Sequence, residues 1–349
     1  MKVIQVGDIA NVARTLTKGL RAEGVDARLA LMPKPADVEE SQAGVDIIRT
    51  PFRTLTQTVL LSRLFGRYWK FDIFHAHAMY NILLGQIGRL NVSHFHGDDL
   101  LELASGDSFL GGLMIKAMHR TGHICVSTPN LLEVLAGFGV DLGKVTFLPN
   151  PVEADHFRPK DDIQPHGEDE DTVKLFHPTR FQHKKRNDKL FEAYAELQDR
   201  YPLSLYLIEN KSFSPAHEEM LALIRKLGLK RVNFLPRLPH RQLVDYYNAA
   251  DIVLDQFGSP AMGLVSLEAL ACGKPVVSTY PLQSGSYPEK PPVLSGFTVV
   301  EIKESISYLV ENRVKWTEIG WRGREWILKN HALPVVIARL LEVYRKVLE

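Results

Sequence analysis

Short apolar runs alternate with longer segments of helical periodicity along nearly the whole chain. Val3-Ile4-Gln5-Val6 predicts a buried parallel strand, and Gly7 begins a turn after it. Asn11 to Glu23 then carries Val12, Leu16 and Leu20 on one face, with Gly24 placed as its stop. Ala27 to Leu31 predicts the next strand. The same pattern predicts strands at Phe71–His75, Asn91–Phe95, Gly122–Ser127 and Val145–Leu148. Thr128 followed by Pro129 has the chemistry of a helix start. Residues 158–171, RPKDDIQPHGEDED, have almost no apolar content and read as a surface linker.

Beyond that linker the alternation resumes. Strands are predicted at Val173–Thr179, Leu203–Ile208, Val232–Leu235, Ile252–Leu254 and Pro275–Ser278. Between them lie helical patterns at Asp188–Tyr201, from Ser214-Pro215 to near Gly228, at His240–Ala249 and at Leu264–Ala271. From Glu301 onward the chain is helical, with Lys315–Asn330 and Pro334–Leu348 as separate segments. No repeat of solenoid period is present. Strand–helix alternation of this kind predicts an α/β protein of two doubly wound parallel-sheet domains.

Composition narrows the function classes. The 349 residues carry 42 Lys+Arg against 41 Asp+Glu, a balance that gives no reason to expect nucleic acid as a partner. Cys125 and Cys272 lie far apart without metal spacing and read as buried free thiols of a reducing compartment. The start, MKVIQVGD, meets Asp8 before any long apolar run, unlike a secretory leader, and no uncharged run approaches 18 residues. A cytoplasmic protein is the expectation. Residues 49–70 add one qualification. Arg49, Arg53, Arg63, Arg67 and Lys70 interleave there with Leu60, Leu61, Phe65, Tyr68 and Trp69, and no acid interrupts them. Such a helix either packs an apolar stripe on the sheet or lies on an anionic membrane surface, peripheral to its inner face.

Candidate chemistry gathers at strand ends. Gly258, Ser259, Pro260 and Gly263 make a small-residue loop that opens the 264–271 helix, and a helix start after a parallel strand is a ready anion site. Glu268 sits about one turn into that helix, within reach of a ribose hydroxyl. Arg180 to Asn187 brings several cations to another strand end. His75 and His77 end one strand, and His94-Phe95-His96-Gly97-Asp98-Asp99 follows the next. The acidic pair Asp98-Asp99 fits the start of a helix better than a divalent metal, since no further acidic cluster accompanies it. After the first strand only Gly7 is present, so the three-glycine dinucleotide fingerprint is missing and a nicotinamide enzyme is disfavoured.

The segment Gly263-Leu264, Leu267-Glu268-Ala269, Ala271, Gly273 and Pro275-Val276-Val277 resembles the signature of glycosyltransferase family 4, whose fold is GT-B. His75-Ala76-His77 and His96-Gly97-Asp98-Asp99 resemble its "H-x-H" and "H-G-x-D" motifs. Arg180 and Lys185 match its spaced Arg and Lys. The resemblance implies two Rossmann-like domains facing a cleft, residues 1–155 with 334–349 on the acceptor side and 156–333 on the donor side. It implies retaining, metal-independent transfer of a hexose from a nucleotide-sugar donor, with no cofactor, to a glycan, lipid-linked or small-molecule acceptor. His96 is then a contact of the donor sugar, and Arg180 and Lys185 hold the diphosphate. Gly7, Asp8, Arg237, Leu238, Met262, Gly263, Leu264 and Glu268 are implied donor contacts. Two departures stand out: Pro260 occupies the place of the family's first glutamate, and Arg186 that of a common glycine. Two other readings stay open: a nucleotide-sugar epimerase of similar architecture, and a noncatalytic nucleotide-sugar-binding protein, which the missing glutamate supports best.

Overall fold

The computed structural model describes residues 1–31, 45–47, 66, 68–86, 88, 91–160, 171–209, 215–280 and 287–349. The chain divides into two units, Met1–Pro151 with Leu333–Glu349, and Val152–Ala332. The basic segment 49–70 lies outside the described residues except for 66 and 68–70. Tyr68 there is buried against Ile4, Val6 and Phe74, and Trp69 is exposed. Among the described residues no helix is long and apolar enough to cross a membrane.

The first unit runs β1 (Lys2–Val6), α1 (Val12–Ala22), β2 (Asp26–Leu31), β3 (Val45–Ile47), β4 (Ile73–His77), α2 (Tyr80–Gln86) and β5 (Val92–Phe95). A π-helix at Asp99–Ala104 leads to α3 (Phe109–Arg120), β6 (His123–Val126), α4 (Asn130–Gly137) and β7 (Val145–Phe147). The strands pair in parallel in the order β3-β2-β1-β4-β5-β6-β7. Winding therefore reverses between β1 and β4, and ligands of open α/β sheets bind beyond strand ends at such a point. Side chains alternate between faces along a strand. Ile4, Val6, Phe74 and Ala76 fall on one face and form a core with Leu83 and Leu84 of α2. Gln5, His75, His77 and His94 fall on the other, where Tyr344 of the C-terminal helix (Leu333–Leu348) meets them.

The second unit contains β8 (Val173–His177), α5 (Asn187–Leu197), β9 (Leu203–Ile208), α6 (Pro215–Lys226), β10 (Val232–Leu235), α7 (Leu243–Ala249) and β11 (Ile252–Leu254). It continues with α8 (Leu264–Ala271), β12 (Val276–Ser278), β13 (Leu294–Ser295), α9 (Val299–Glu311) and α10 (Trp316–Asn330). Its parallel order is β10-β9-β8-β11-β12-β13, so the reversal falls between β8 and β11. Leu175, Leu205, Leu207, Ile252 and Leu254 of the sheet bury against Leu190, Phe191 and Tyr194 of α5 and Ile302, Ile306 and Leu309 of α9. The expected surface linker begins as a tethered strip. Asn248 donates to Arg158 O (3.0 Å) and accepts from Lys160 N (3.0 Å). Residues 161–170 lie outside the described set.

Candidate active site

The reversal point of the second sheet collects most of the expected donor residues. His183–Lys185 is a single 3-10 turn after β8, and Lys185 Nζ donates to Gln256 Oε1 just past β11. Phe257 N donates to Lys185 O (2.9 Å), which ties the cationic loop to the loop that opens α8. Thr179 Oγ1 donates to Asp255 Oδ1 (3.0 Å), a third link between the two strand ends. Arg180 follows Thr179 and is exposed. These loops are positioned by a neutral buried imidazole: His177 donates from Nδ1 to Leu254 O (2.9 Å) and accepts at Nε2 from Asn187 Nδ2 (2.8 Å). Burial pushes the His177 pKa down to about 4.

The start of α8 is already partly served by protein. Asp255 Oδ2 accepts from Gly263 N (2.9 Å), Ser266 N (3.3 Å) and Ser266 Oγ (2.7 Å). Gly263 allows this approach, since a Cβ there would lie 2.7 Å from Asp255 Oδ2. The anion site expected at Gly263 is thus filled by a side chain, while Leu264 N and Val265 N have no partner among the described residues. Met262 is buried beside them and Leu264 half-buried.

Glu268 is buried and its two oxygens are engaged. His240 Nε2 donates to Oε1 (2.6 Å) and Tyr247 Oη to Oε2 (3.0 Å). Each carboxylate oxygen keeps a second acceptor site. Burial opposes a charged His240, but the hydrogen bond and charge of Glu268 outweigh it and raise the pKa. His240 is partly exposed and opens the turn after Arg237 and Leu238. Arg237 is exposed and Leu238 half-buried, both beyond the end of β10. Sequence reasoning missed His240. Nothing in a spacing of 28 residues from Glu268 marks it, and only the tertiary fold brings the pair together. Pro260 is exposed in the α8 loop.

The reversal point of the first sheet gathers the remaining expected residues. Gly7 has φ +85°, and a Cβ there would lie 2.2 Å from Tyr80 Cδ2, so only glycine fits. Asp8 Oδ1 accepts from Ala13 N (2.9 Å), which uses the carboxylate at the start of α1. His77 Nδ1 and His96 Nε2 are 2.9 Å apart, and His77 Nε2 lies 2.6 Å from Gln5 Oε1. The His96 ring stacks on His94 (4.4 Å between centroids) and on His77 (5.2 Å). Asp99, the first residue of the π-helix, accepts from His96 N, Gly97 N and Leu100 N at 2.9–3.1 Å, while Asp98 at the cap makes no side-chain capping bond. Burial nevertheless pushes its pKa up to about 6 against those hydrogen bonds.

His75, His77 and His94 bring ligand nitrogens within 4.8 Å of one another. The set fits a resident cation poorly. The rings of His75 and His77 stack within 10° of parallel, so their in-plane lone pairs do not converge. Both His77 nitrogens already have partners within the fold.

Two parallel α/β sheets of this kind make up the GT-B fold. Residues 9–156 match the model of Glycosyltransferase Family 4, and residues 159–286 that of Glycosyl transferases group 1. Each model matches less than half of the chain, and together they support a family 4-like, group 1 glycosyltransferase of GT-B type. A curated relative, D-inositol 3-phosphate glycosyltransferase 2 of Catenulispora acidiphila, is 35% identical over 42% of this chain and 37% of its own length. The D-inositol 3-phosphate glycosyltransferase of Segniliparus rotundus is 28% identical over 60% of this chain and 51% of its own. The chain thus spans about a third to a half of the length of these relatives. Among solved structures, Anabaena HepE in complex with UDP and glucose superposes with TM-score 0.80 at 16% identity, covering 99% of this chain and 100% of that one. Sucrose-phosphate synthase from Thermosynechococcus elongatus gives TM-score 0.78 at 18% identity, covering 99% of each chain. At such identities the likeness establishes the fold.

Proposed function

We propose that this protein transfers a sugar from a nucleotide-diphosphate sugar to an acceptor hydroxyl, with retention at the anomeric carbon and without a metal ion. The observation that carries this reading is the joining of two loops at the β8/β11 reversal point. Lys185 bonds Gln256, Thr179 bonds Asp255, and the N–H groups of Leu264 and Val265 have no partner among the described residues. Negative charge builds on the leaving phosphate oxygen, and fixed cations and amides stabilise it without reorganisation. Arg180 and Lys185 take that role, with Leu264 N–H beside them. Glu268, oriented by His240 and Tyr247, accepts from the ribose, and backbone groups at Arg237 and Leu238 meet the base. His96 contacts the sugar. Met262 and Gly263 hold the loop in shape, and Gly7 lets the first sheet's loop approach ligand closely.

The relatives' names, D-inositol 3-phosphate glycosyltransferases, support a phosphorylated cyclic polyol as the first acceptor to test. The epimerase and noncatalytic readings have no support in the relatives described. A thermal-shift screen of UDP, GDP, ADP and their sugars tests the donor reading, because binding to the folded state raises its melting point. At a ligand concentration of 100 times Kd the gain is about 2.7 kcal/mol. Arg180→Ala is expected to cut turnover by roughly two to three orders of magnitude. No shift with any nucleotide or nucleotide sugar, or full turnover in Arg180→Ala, overturns the proposal.

A further inference from the structure

A continuous chain of hydrogen bonds runs from the half-buried His96 into the first unit. His96 Nε2 meets His77 Nδ1 (2.9 Å), and His77 Nε2 meets Gln5 Oε1 (2.6 Å). Gln5 Nε2 donates to Tyr344 Oη (3.0 Å), which meets His75 Nδ1 (2.8 Å). Each link limits the next. An amide oxygen only accepts, so His77 carries its hydrogen on Nε2. A neutral imidazole then has a lone pair at Nδ1, and His96 must donate to it from Nε2. His96 Nδ1 is left with a lone pair, has no partner among the described residues, and is not among the sealed polar atoms of the fold. Tyr344, accepting from Gln5, gives its own hydrogen to His75 Nδ1.

Only one other order satisfies every contact. Turning the Gln5 amide over reverses all the donors at once and places the hydrogen of His96 on Nδ1. Any mixture sets two hydrogens or two lone pairs against each other in a buried site, which costs about 1–3 kcal/mol. Protonation does not blur the choice. Burial lowers the His96 pKa to about 3 and holds His75 and His77 well below the ordinary value, so the rings stay neutral. The order present leaves one cost at the far end, where His75 Nε2 has no partner.

We infer that Gln5, His77 and Tyr344 are positioning residues that hold His96 in its Nε2–H tautomer, so that Nδ1 meets a hydroxyl of the donor sugar as an acceptor. The role at the sugar rests on the donor reading above, whereas the tautomer does not. Such a site selects a sugar carrying a hydroxyl there over its deoxy or O-methylated analogue, because an acceptor without a donor is left unpaired. It also ties the side-chain chemistry of a strand end to the last turns of the C-terminal helix.

Proton–nitrogen correlation spectra of the full chain labelled with 15N-histidine read the tautomer directly, with His96→Asn giving the assignment. At pH 7.5 and without ligand, His96 is expected to show a protonated-type shift at Nε2 and an unprotonated-type shift at Nδ1. Hydrogen on Nδ1 overturns the inference and leaves the transferase reading untouched. Gln5→Leu removes the central link, and His96 is expected to populate both tautomers. Tyr344→Phe keeps the ring packing and is expected to do the same by freeing the Gln5 amide to turn, so it serves if Gln5→Leu fails to fold. A single unaltered Nε2–H tautomer in the variant that folds overturns the relay. UDP-glucose is the ligand probe. If it raises the melting point, its addition is expected to move the Nδ1 resonance, and an unmoved Nδ1 overturns the sugar contact.

Discussion

Arg186 shows what a departure from a family pattern requires locally. It has φ 51° and ψ 46°, the left-handed region, between the 183–185 turn and α5. The family glycine at this position has no Cβ penalty there, while a non-glycine residue pays roughly 1–2 kcal/mol. Arg186 accepts this with a two-pronged pair to Asp188 at 2.8–3.0 Å, on a side chain about half exposed, so the pair offsets little. Arg186→Ala and Arg186→Gly both lose the pair and differ only in backbone. Arg186→Gly is expected to be the more stable of the two by about 1 kcal/mol in urea denaturation. Equal midpoints would mean that the loop relaxes out of this conformation. Asp99 gives a second test. Its folded pKa of about 6 lies above the ordinary 3.8, so its contribution to stability is complete below pH 3.8 and is lost as pH rises through 6. Asp99→Asn keeps an oxygen for the backbone donors and is expected to gain on the wild type between pH 4 and 7, by at most about 3 kcal/mol. A pH-independent difference in melting point would refute it. At this scale Lys185 and Glu268 were legible from motif spacing. Their partners Gln256, His240 and Tyr247 were not, because only the tertiary fold brings them together. The same holds for Gln5 and Tyr344 in the first unit, where nothing in either residue points to the other across 339 positions.

At the scale of elements, α8 owes its start to Asp255. That carboxylate joins β8 through Thr179 and serves Gly263 N, Ser266 N and Ser266 Oγ inside the protein. Asp255→Ala leaves four donors without their acceptor and is expected to cost at least about 2 kcal/mol. Asp255→Asn keeps one oxygen and is expected to lose less. Chemical denaturation of both variants checks the order. The strand–helix alternation made the predicted strands and most helices readable, because β1, β4, β5, β6, β8, β11 and β12 are buried along nearly their whole length while helices such as α1 and α5 bury one face. The stretch 99–120 escaped. Its glycines at 106, 111 and 112 look like loop punctuation, yet the chain forms a π-helix and then α3, capped by Ser108 accepting from Gly111 N (3.0 Å). The two-residue strand β13 is too short to carry any periodicity.

For the molecule as a whole, neutral buried imidazoles set the response to acid. Burial, the first cause in each case, holds the pKa values of His75, His77, His94, His96 and His177 below 6.5. A base with a depressed folded pKa contributes stability that is present above pH 6.5 and lost as pH falls, because the unfolded chain takes up the proton first. Each such histidine withdraws at most about 1.4 kcal/mol per pH unit below 6.5, so several acting together erode a large part of the roughly 5–15 kcal/mol that holds a typical protein folded. His240 has the opposite sign, but its raised pKa makes its contribution constant below 6.5. Asp99 gives back about one histidine's share only near and below pH 6. Thermal unfolding followed by circular dichroism from pH 8 to 5 is therefore expected to show a steep fall in melting temperature below pH 6.5. His94 isolates the cause, since among the described residues neither of its nitrogens has a partner for a replacement to lose. His94→Leu is expected to equal or exceed the wild type at pH 7.5 and to gain on it by about 1.4 kcal/mol for each pH unit below 6.5. A variant that tracks the wild-type curve in parallel would place the acid sensitivity elsewhere in the fold.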